Sequence, residues 1–236
     1  MADDFRTQKE PLLARESLFR KKLDALRRTG SMPAMQPPMD SQPRMREIER
    51  STYLENVQST IQQSDPRELE RVALLDGLTE LYNHSTITRI LRDEVKRAKR
   101  YKMNMSLLML SVDGFSEING RFGALASDSV LKGVANFMMG MIRDVDIPAR
   151  YDAETFLVIC PNTDQTGIGV LSERIRSRLP ANRVSDVGQN WNVTVSVGMG
   201  SYPIAGTKDE DLIQTVQAAL MQAQNMGGNR CMMANK

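Results

Sequence analysis

The chain has 236 residues, and its 31 lysines and arginines nearly balance 29 acidic residues, for a net charge of +2. That balance does not indicate a nucleic-acid-binding surface or an acidic tail. The two cysteines, Cys160 and Cys231, lack metal-ligand spacing and predict a reducing compartment without a disulfide framework. The acidic N-terminus lacks the apolar segment of a signal peptide, and no apolar stretch reaches membrane-spanning length. We therefore expect a cytoplasmic protein.

Residues 1–30 predict a basic amphipathic arm that contains a helix over residues 11–28. Leu12, Phe19 and Leu26 recur every seven residues among several arginines and lysines. Such a helix either docks on its own domain or on a second copy of the chain, or it binds a partner protein or an anionic surface. The sequence leaves these alternatives open.

Residues 31–44 are rich in proline and methionine and predict a flexible linker. Residues 45–75 predict a helical stalk, in which Asp65 is expected to cap a new helix that has Pro66 at its first position. The remaining residues, 76–236, predict one folded domain.

Helices and strands alternate in that domain, which indicates an α+β fold. The apolar run over residues 106–112 predicts a buried central strand. Residues 147–151 and 155–160 predict a hairpin, and residues 191–198 predict a strand with alternating inward side chains. Helices are predicted over residues 85–101, 128–143, 164–179 and 209–226.

Four segments, in the right order, resemble the motifs of GGDEF domains, the bacterial diguanylate cyclases that join two GTP molecules into cyclic di-GMP. Residues 76–83 resemble D-x-L-T-G-L-x-N, and residues 111–120 resemble D-x-D-x-F-K-x-x-N-D. Residues 150–156 are similar to the signature hairpin, and residues 193–198 and 228–230 match the last core strand and the closing turn. The resemblance implies a ferredoxin-like, palm-type sheet with antiparallel pairs, flanked by helices and preceded by a helical extension. Because that extension often pairs in family dimers, a homodimer is possible.

The signature hairpin itself departs from the family pattern. Of G-G-D-E-F only Phe156 strictly matches, although glutamate at the third position is a common family variant. Related cyclases hold Mg²⁺ with a hairpin acid and with an aspartate at the position of Ser111, whose hydroxyl cannot replace a carboxylate. We therefore expect no Mg²⁺ and assign a vestigial active site to Ser111, Asp113, Asn119, Asp128, Asp152, Ala153, Glu154 and Thr155.

Other substitutions in the vestigial site also oppose catalysis. Ser116, Gln224 and Gly228 stand where the family has cations, and losing one preorganised stabilising group typically costs roughly 10²–10³ in rate. Glycines allow positive φ at the hairpin tip, so Ala153 is expected to be strained there. Asn119 and Asp128 match the family's guanine-reading residues, but they are equally compatible with turn and helix-cap roles.

A second site retains its family residues. Arg143 and Asp146 match the R-x-x-D motif of the inhibitory site that binds cyclic di-GMP, and Arg174 aligns with the third family arginine. Guanidinium groups fit the O6/N7 edge of guanine, and a carboxylate fits its N–H groups. The alternative is structural: Arg143 ends a helix, Asp146 forms a turn, and Arg174 pairs with Asp146.

These observations predict a catalytically inactive GGDEF-like protein that binds cyclic di-GMP and signals to an unidentified protein partner through its N-terminal helices. One alternative is a ligand-independent interaction scaffold. The other is a residual cyclase that uses Glu154, Asp113 and groups from a partner subunit.

Overall fold

The computed structural model describes residues 73–181, 184–186 and 189–234. The predicted arm, the linker and nearly all of the stalk lie outside these described residues. The helices are α1 His84–Tyr101, α2 Phe115–Phe122, α3 Ala124–Met141, α4 Gln165–Arg178 and α5 Asp209–Asn225. The strands are β1 Met105–Val112, β2 Ile147–Arg150, β3 Thr155–Pro161, β4 Val184–Asp186, β5 Gln189–Trp191, β6 Val195–Tyr202 and β7 Cys231–Met233.

Five strands form one mixed sheet in the order β2-β3-β1-β6-β7, and β4 and β5 form a separate two-stranded ribbon. The strands β3 and β6 pair antiparallel with β1, and β2 pairs antiparallel with β3. Only the β6–β7 pair among these is parallel. All eight residues of β1 are buried, which confirms the predicted central strand and the α+β class.

Helices cover both faces of the sheet. Leu108 and Leu110 of β1 pack in one core with residues of α3 and α4. Leu107 and Met109 point to the opposite face and pack with residues of α1 and α5. Successive strand residues point to opposite faces, so a strand covered on both sides is apolar throughout. Each fully buried leucine contributes roughly 1.5–3 kcal/mol to this packing.

The strand β6 lies directly against α5. A Cβ built on Gly198 would come within 2.3 Å of the Val216 carbonyl oxygen and 2.4 Å of the Leu220 nitrogen. The predicted inward alternation of this strand is wrong, because its residues are buried on both faces except for the partly exposed Tyr202. The close contact positions the C-terminal end of α5 beside the end of β1.

Two helix boundaries differ from the prediction in ways that affect the site. The helix α3 begins at Ala124, because Gly123, with φ 82° and ψ 177°, separates it from α2, which was not predicted. Asp128 therefore lies inside α3, and the alternative in which it caps the helix is wrong. The helix ends at Met141, so Arg143 lies in the following loop instead of ending the helix.

The predicted hairpin and the start of α4 are confirmed. The strands β2 and β3 pair antiparallel, with Arg150 opposite Phe156. Asp164 caps α4 by accepting a hydrogen bond from the Gly167 N–H at 2.8 Å. Among the helices that the structure describes, none is long and apolar enough to span a bilayer.

The Asp113 carboxylate joins three segments at the end of β1. Its Oδ1 accepts from the Ser196 hydroxyl at 2.6 Å, and its Oδ2 accepts from the Thr194 hydroxyl at 2.6 Å. Oδ2 also accepts from the backbone N–H of Asn229 at 2.9 Å. One side chain thus ties β1 to the start of β6 and to the turn before β7.

Lys102, immediately after α1, has a left-handed backbone with φ 52° and ψ 42°. Because L side chains are strained there, Lys102→Gly should raise the free energy of unfolding by about 0.5–1 kcal/mol. Urea unfolding measures the change. The control is Lys102→Ala, which keeps the Cβ and should give no comparable gain; an equal gain in both variants would contradict the explanation.

Asp113→Asn should lower the free energy of unfolding by about 1–3 kcal/mol, because the amide has one acceptor oxygen for donors that now bind two. Chemical denaturation of both proteins gives the difference. The matched control is Asp128→Asn. The Asp128 carboxylate makes no hydrogen bond among the described residues, so its substitution should change stability by less than about 0.5 kcal/mol. Equal losses in the two variants would refute a special role for Asp113.

Candidate functional site

The tip of the β2–β3 hairpin is closed by its own aspartate. The backbone N–H groups of Tyr151 and Asp152 donate to the Thr155 carbonyl at 2.8 and 3.2 Å. The Asp152 Oδ1 accepts from the N–H groups of Thr155 at 3.1 Å and Glu154 at 3.3 Å. Neither Asp152 nor Ala153 has positive φ. The expected strain at Ala153 is therefore wrong, since a side-chain turn replaces the glycine-dependent one.

Asp76, in the motif of residues 76–83, binds this hairpin through Arg150. Nη1 of Arg150 lies 3.3 Å from each carboxylate oxygen of Asp76, and its Nη2 donates to the Ala153 carbonyl at 2.7 Å. Burial acts to raise the pKa of Asp76, but hydrogen bonds from Thr79 and the Arg150 guanidinium outweigh burial, and the pKa lies below its ordinary value. The carboxylate is thus kept charged as an anchor for the tip.

Hydroxyl side chains occupy the position where related cyclases hold Mg²⁺. Ser111 is paired across the sheet with Thr155 on one side and Ser196 on the other, so the three side chains share one face. Ser111 is 1% exposed, and its Oγ has no hydrogen-bond partner. The carboxylate of Asp113 is already engaged by three donors.

Glu154 is the acid that remains at the hairpin. Burial, and then the neighbouring Asp152 charge, raises the pKa of Glu154 above its ordinary value. No group of three metal-binding side chains occurs in the part of the chain that the structure describes. One carboxylate beside buried hydroxyls does not fit a hard divalent cation, which takes several charged or carbonyl oxygens.

Asn119 and Gly228 stand where the family contacts guanine and phosphate, and both contact other residues of this chain. Asn119 Oδ1 accepts from the Ser127 hydroxyl at 3.1 Å and so links α2 to α3. Gly228 has φ 72°, and a Cβ built on it would lie 3.0 Å from Asp113 Oδ1. Any side chain at residue 228 would therefore be strained by the positive φ, and its Cβ would crowd the Asp113 carboxylate.

One cation near this turn was not singled out from the sequence. The Arg230 Nε donates to the Gly228 carbonyl at 3.2 Å, so its side chain lies along the turn. Its position two residues after Gly228 was a visible signal, because a nearby arginine is a candidate replacement for a lost one.

At the second site, Arg143 and Asp146 bind each other. The Arg143 N–H donates to Asp146 Oδ2 at 2.8 Å, and its Nη2 lies 3.4 Å from Asp146 Oδ1. The Asp146 N–H in turn donates to the Arg143 carbonyl at 3.0 Å. The Asp146 side chain is 1% exposed, whereas that of Arg143 is 55% exposed. Asp146 therefore forms a buried turn, as the structural alternative held, while Arg143 remains accessible.

Arg174 reaches the same loop from α4. Its Nη2 donates to the Met141 carbonyl at the end of α3, and its side chain is exposed. The alternative in which Arg174 pairs with Asp146 is thus wrong. Arg143, in the loop between α3 and β2, and Arg174, on α4 and bonded to the last residue of α3, are both exposed to solvent.

Two residues behind Arg143 were not assigned to the site from sequence. Thr163 is buried, and its hydroxyl accepts from Arg143 Nη2. Cys160 is a core residue, as expected, and burial, followed by the adjacent Asp146 carboxylate, raises the pKa of its thiol well above the ordinary value. Neither lies in a recognisable motif, so only the fold identifies them.

The family profile described as "Diguanylate cyclase, GGDEF domain" matches residues 73–230. Response regulator PleD of Caulobacter vibrioides is 31% identical over 185 residues, covering 78% of this chain and 40% of that protein. Diguanylate cyclase A of Treponema denticola is 33% identical over 129 residues, covering 55% of this chain and 35% of that protein. The chain spans less than half the length of these two relatives.

Solved structures share the fold. The GGDEF domain of DgcB from Caulobacter crescentus, in complex with c-di-GMP, has a TM-score of 0.65 at 24% identity, covering 70% of this chain and 94% of that one. Diguanylate cyclase SiaD from Pseudomonas aeruginosa, in complex with its activator SiaC, has a TM-score of 0.65 at 25% identity, covering 94% of this chain and 79% of that one. The profile match over most of the chain and the shared sheet lead to one conclusion: this chain belongs to the GGDEF domain family.

Proposed function

We propose that this chain is a catalytically inactive GGDEF protein that binds cyclic di-GMP through Arg143 and Arg174 and passes the signal to a protein partner. The observation that carries the proposal is a contrast between two sites. The former metal position holds the buried hydroxyl of Ser111, while Arg143 in the α3–β2 loop and Arg174 on α4 remain exposed.

The argument for inactivity is electrostatic. Joining nucleotides is phosphoryl transfer, in which catalysis consists of positioning and charge stabilisation. Glu154 has no carboxylate partner at Ser111, and the Asp113 carboxylate already accepts from three hydroxyl and amide donors. Gly228 stands where the family has an arginine, and a Cβ there would crowd the Asp113 carboxylate. Metal ligands and phosphate clamps are therefore both missing, and we propose that no Mg²⁺ is used.

The argument for binding rests on the exposed cations. Only Nη2 of Arg143 makes side-chain hydrogen bonds among the described residues, so its Nε and Nη1 remain available as donors. Each can donate a single hydrogen bond to a guanine acceptor or to a phosphate oxygen, and the exposed Arg174 of α4 supplies a second cation. A dianionic dinucleotide with two guanine bases satisfies both arginines. The related DgcB domain was solved in complex with c-di-GMP.

The output would run through a protein partner. SiaD, which shares the fold, was solved with its activator SiaC. In this chain the predicted amphipathic arm, residues 1–30, and the stalk are the proposed docking segments, and a homodimer is a further possible state. A ligand switches such a protein only if it binds two states with different affinity. We place this function in bacterial second-messenger signalling in the cytoplasm.

A ligand-independent scaffold is the second candidate. The buried carboxylate of Asp146 favours it, because the site then lacks an exposed acceptor for the N–H groups of guanine. In that case the folded domain serves as a platform, and the N-terminal helices alone bind the partner.

Calorimetric titration with cyclic di-GMP distinguishes the two candidates. We expect a micromolar or tighter dissociation constant, and at least about a tenfold loss in Arg143→Ala and in Arg174→Ala, because each removes a charged contact. The control Arg178→Ala removes another exposed arginine of α4 and should bind like the wild type. No measurable binding by the wild-type chain would support the scaffold.

Incubation of the chain with GTP and Mg²⁺ tests the proposed inactivity. Chromatography of the reaction should reveal no cyclic di-GMP, because Ser111 and Gly228 leave the metal and the phosphates without ligands. An active GGDEF cyclase, run in parallel, confirms the assay. Dinucleotide formed by the wild-type chain, and abolished by Glu154→Gln, would instead establish a residual cyclase.

A further inference from the structure

The Arg143 guanidinium makes its side-chain hydrogen bonds through one nitrogen. Its Nη2 lies 3.4 Å from Asp146 Oδ1 and donates to the Thr163 hydroxyl. The other guanidinium nitrogens make no hydrogen bond within the described residues. The plane of the group is thus set by two acceptors on its inner side, while its outer edge faces solvent.

The Thr163 hydroxyl has a defined direction. Its own proton is donated to the Pro161 carbonyl at 3.1 Å, so the oxygen presents a lone pair to Arg143. The Thr163 backbone is fixed as well: its carbonyl accepts from the buried Ser106 hydroxyl at 2.7 Å. The next residue, Asp164, caps α4. Thr163 is therefore a rigid acceptor at the junction of β3 and α4.

Asp146 is fixed in the same way. Its Oδ2 accepts from the Arg143 backbone N–H at 2.8 Å, and its side chain is almost fully buried. To bind a base directly, the carboxylate would have to break this bond and turn outward. It would then also leave the guanidinium that it supports.

We infer that Thr163 and Asp146 are positioning residues that orient Arg143. Arg143 contacts the ligand, and Asp146 supports Arg143 instead of contacting the base itself. This inference rests on the proposed binding of cyclic di-GMP. It gives Thr163 a role in that site and changes the role of Asp146 from base recognition to support. An arginine held in its binding rotamer loses less freedom when the ligand arrives, so the support increases affinity.

The test compares Thr163→Val, which keeps the shape and removes the hydroxyl, with Thr163→Ser, which keeps the hydroxyl. Titration of the full chain with cyclic di-GMP should give about 3–10-fold weaker binding for Thr163→Val, the loss expected for one hydrogen bond. Thr163→Ser should restore binding to within about twofold of the wild type. Circular dichroism verifies folding, and Thr163→Ala replaces the valine variant if that protein does not fold.

A measurement without ligand separates the inference from the proposed function. In nuclear magnetic resonance spectra, the wild-type Arg143 guanidinium should give resolved Nη signals, because Thr163 and Asp146 slow its rotation. Those signals should average in Thr163→Val and persist in Thr163→Ser. The combination of averaged signals and weaker binding supports the inference.

The outcomes that overturn the inference differ from those that overturn the function. If Thr163→Val binds like the wild type while Arg143→Ala does not bind, the positioning role is wrong and the ligand site stands. If the wild-type chain binds no cyclic di-GMP, the proposed function fails, and the positioning role in ligand binding fails with it. Resolved signals in that case would show that Thr163 and Asp146 serve only the fold.

Discussion

The register of β1 between β3 and β6 is the constraint on which the rest of the structure depends. Antiparallel pairing on both sides sets Ser111 between Thr155 and Ser196. Helices cover both faces, so a one-residue slip would move every apolar side chain of β1 to the other core. The same register carries Asp113 to the start of β6, where its carboxylate meets the two hydroxyls and the C-terminal turn.

The two sites have different relations to this sheet. The vestigial site lies at the strand ends, where the remaining polar groups now bind one another: Asp113 supports β6, Asn119 joins two helices, and Asp152 closes the hairpin. The arginine site combines Arg143 of the loop between α3 and β2 with Arg174 of α4, and both cations are exposed. A buried polar group must find a partner inside the protein, whereas an exposed arginine keeps donors for a ligand.

Much of the fold was predictable because the sheet is covered on both faces. Continuous apolar runs such as residues 106–112 predicted buried strands, and the predicted hairpin and the helix that starts near residue 164 are also confirmed. The short helix α2 was missed, since it is only eight residues long and buries none of them. The inward alternation predicted over residues 191–198 was wrong for β6, because alternation between apolar and polar residues assumes that one face of the strand is solvated. The alternative role of Asp128 as a helix cap was wrong because the backbone conformation of Gly123 starts α3 about one turn before Asp128.

The sequence by itself determined the family and the class of fold, and it predicted that active-site positions depart from the family pattern while Arg143, Asp146 and Arg174 match it. These conclusions follow from residue identity and local spacing. Only the tertiary structure decided which retained groups face solvent: Asp146 is buried against Arg143, Arg174 reaches the Met141 carbonyl, and Thr163 supports Arg143 from a different strand end. The physical reason is that exposure and hydrogen-bond partners depend on contacts between residues far apart in the chain, which local spacing does not encode.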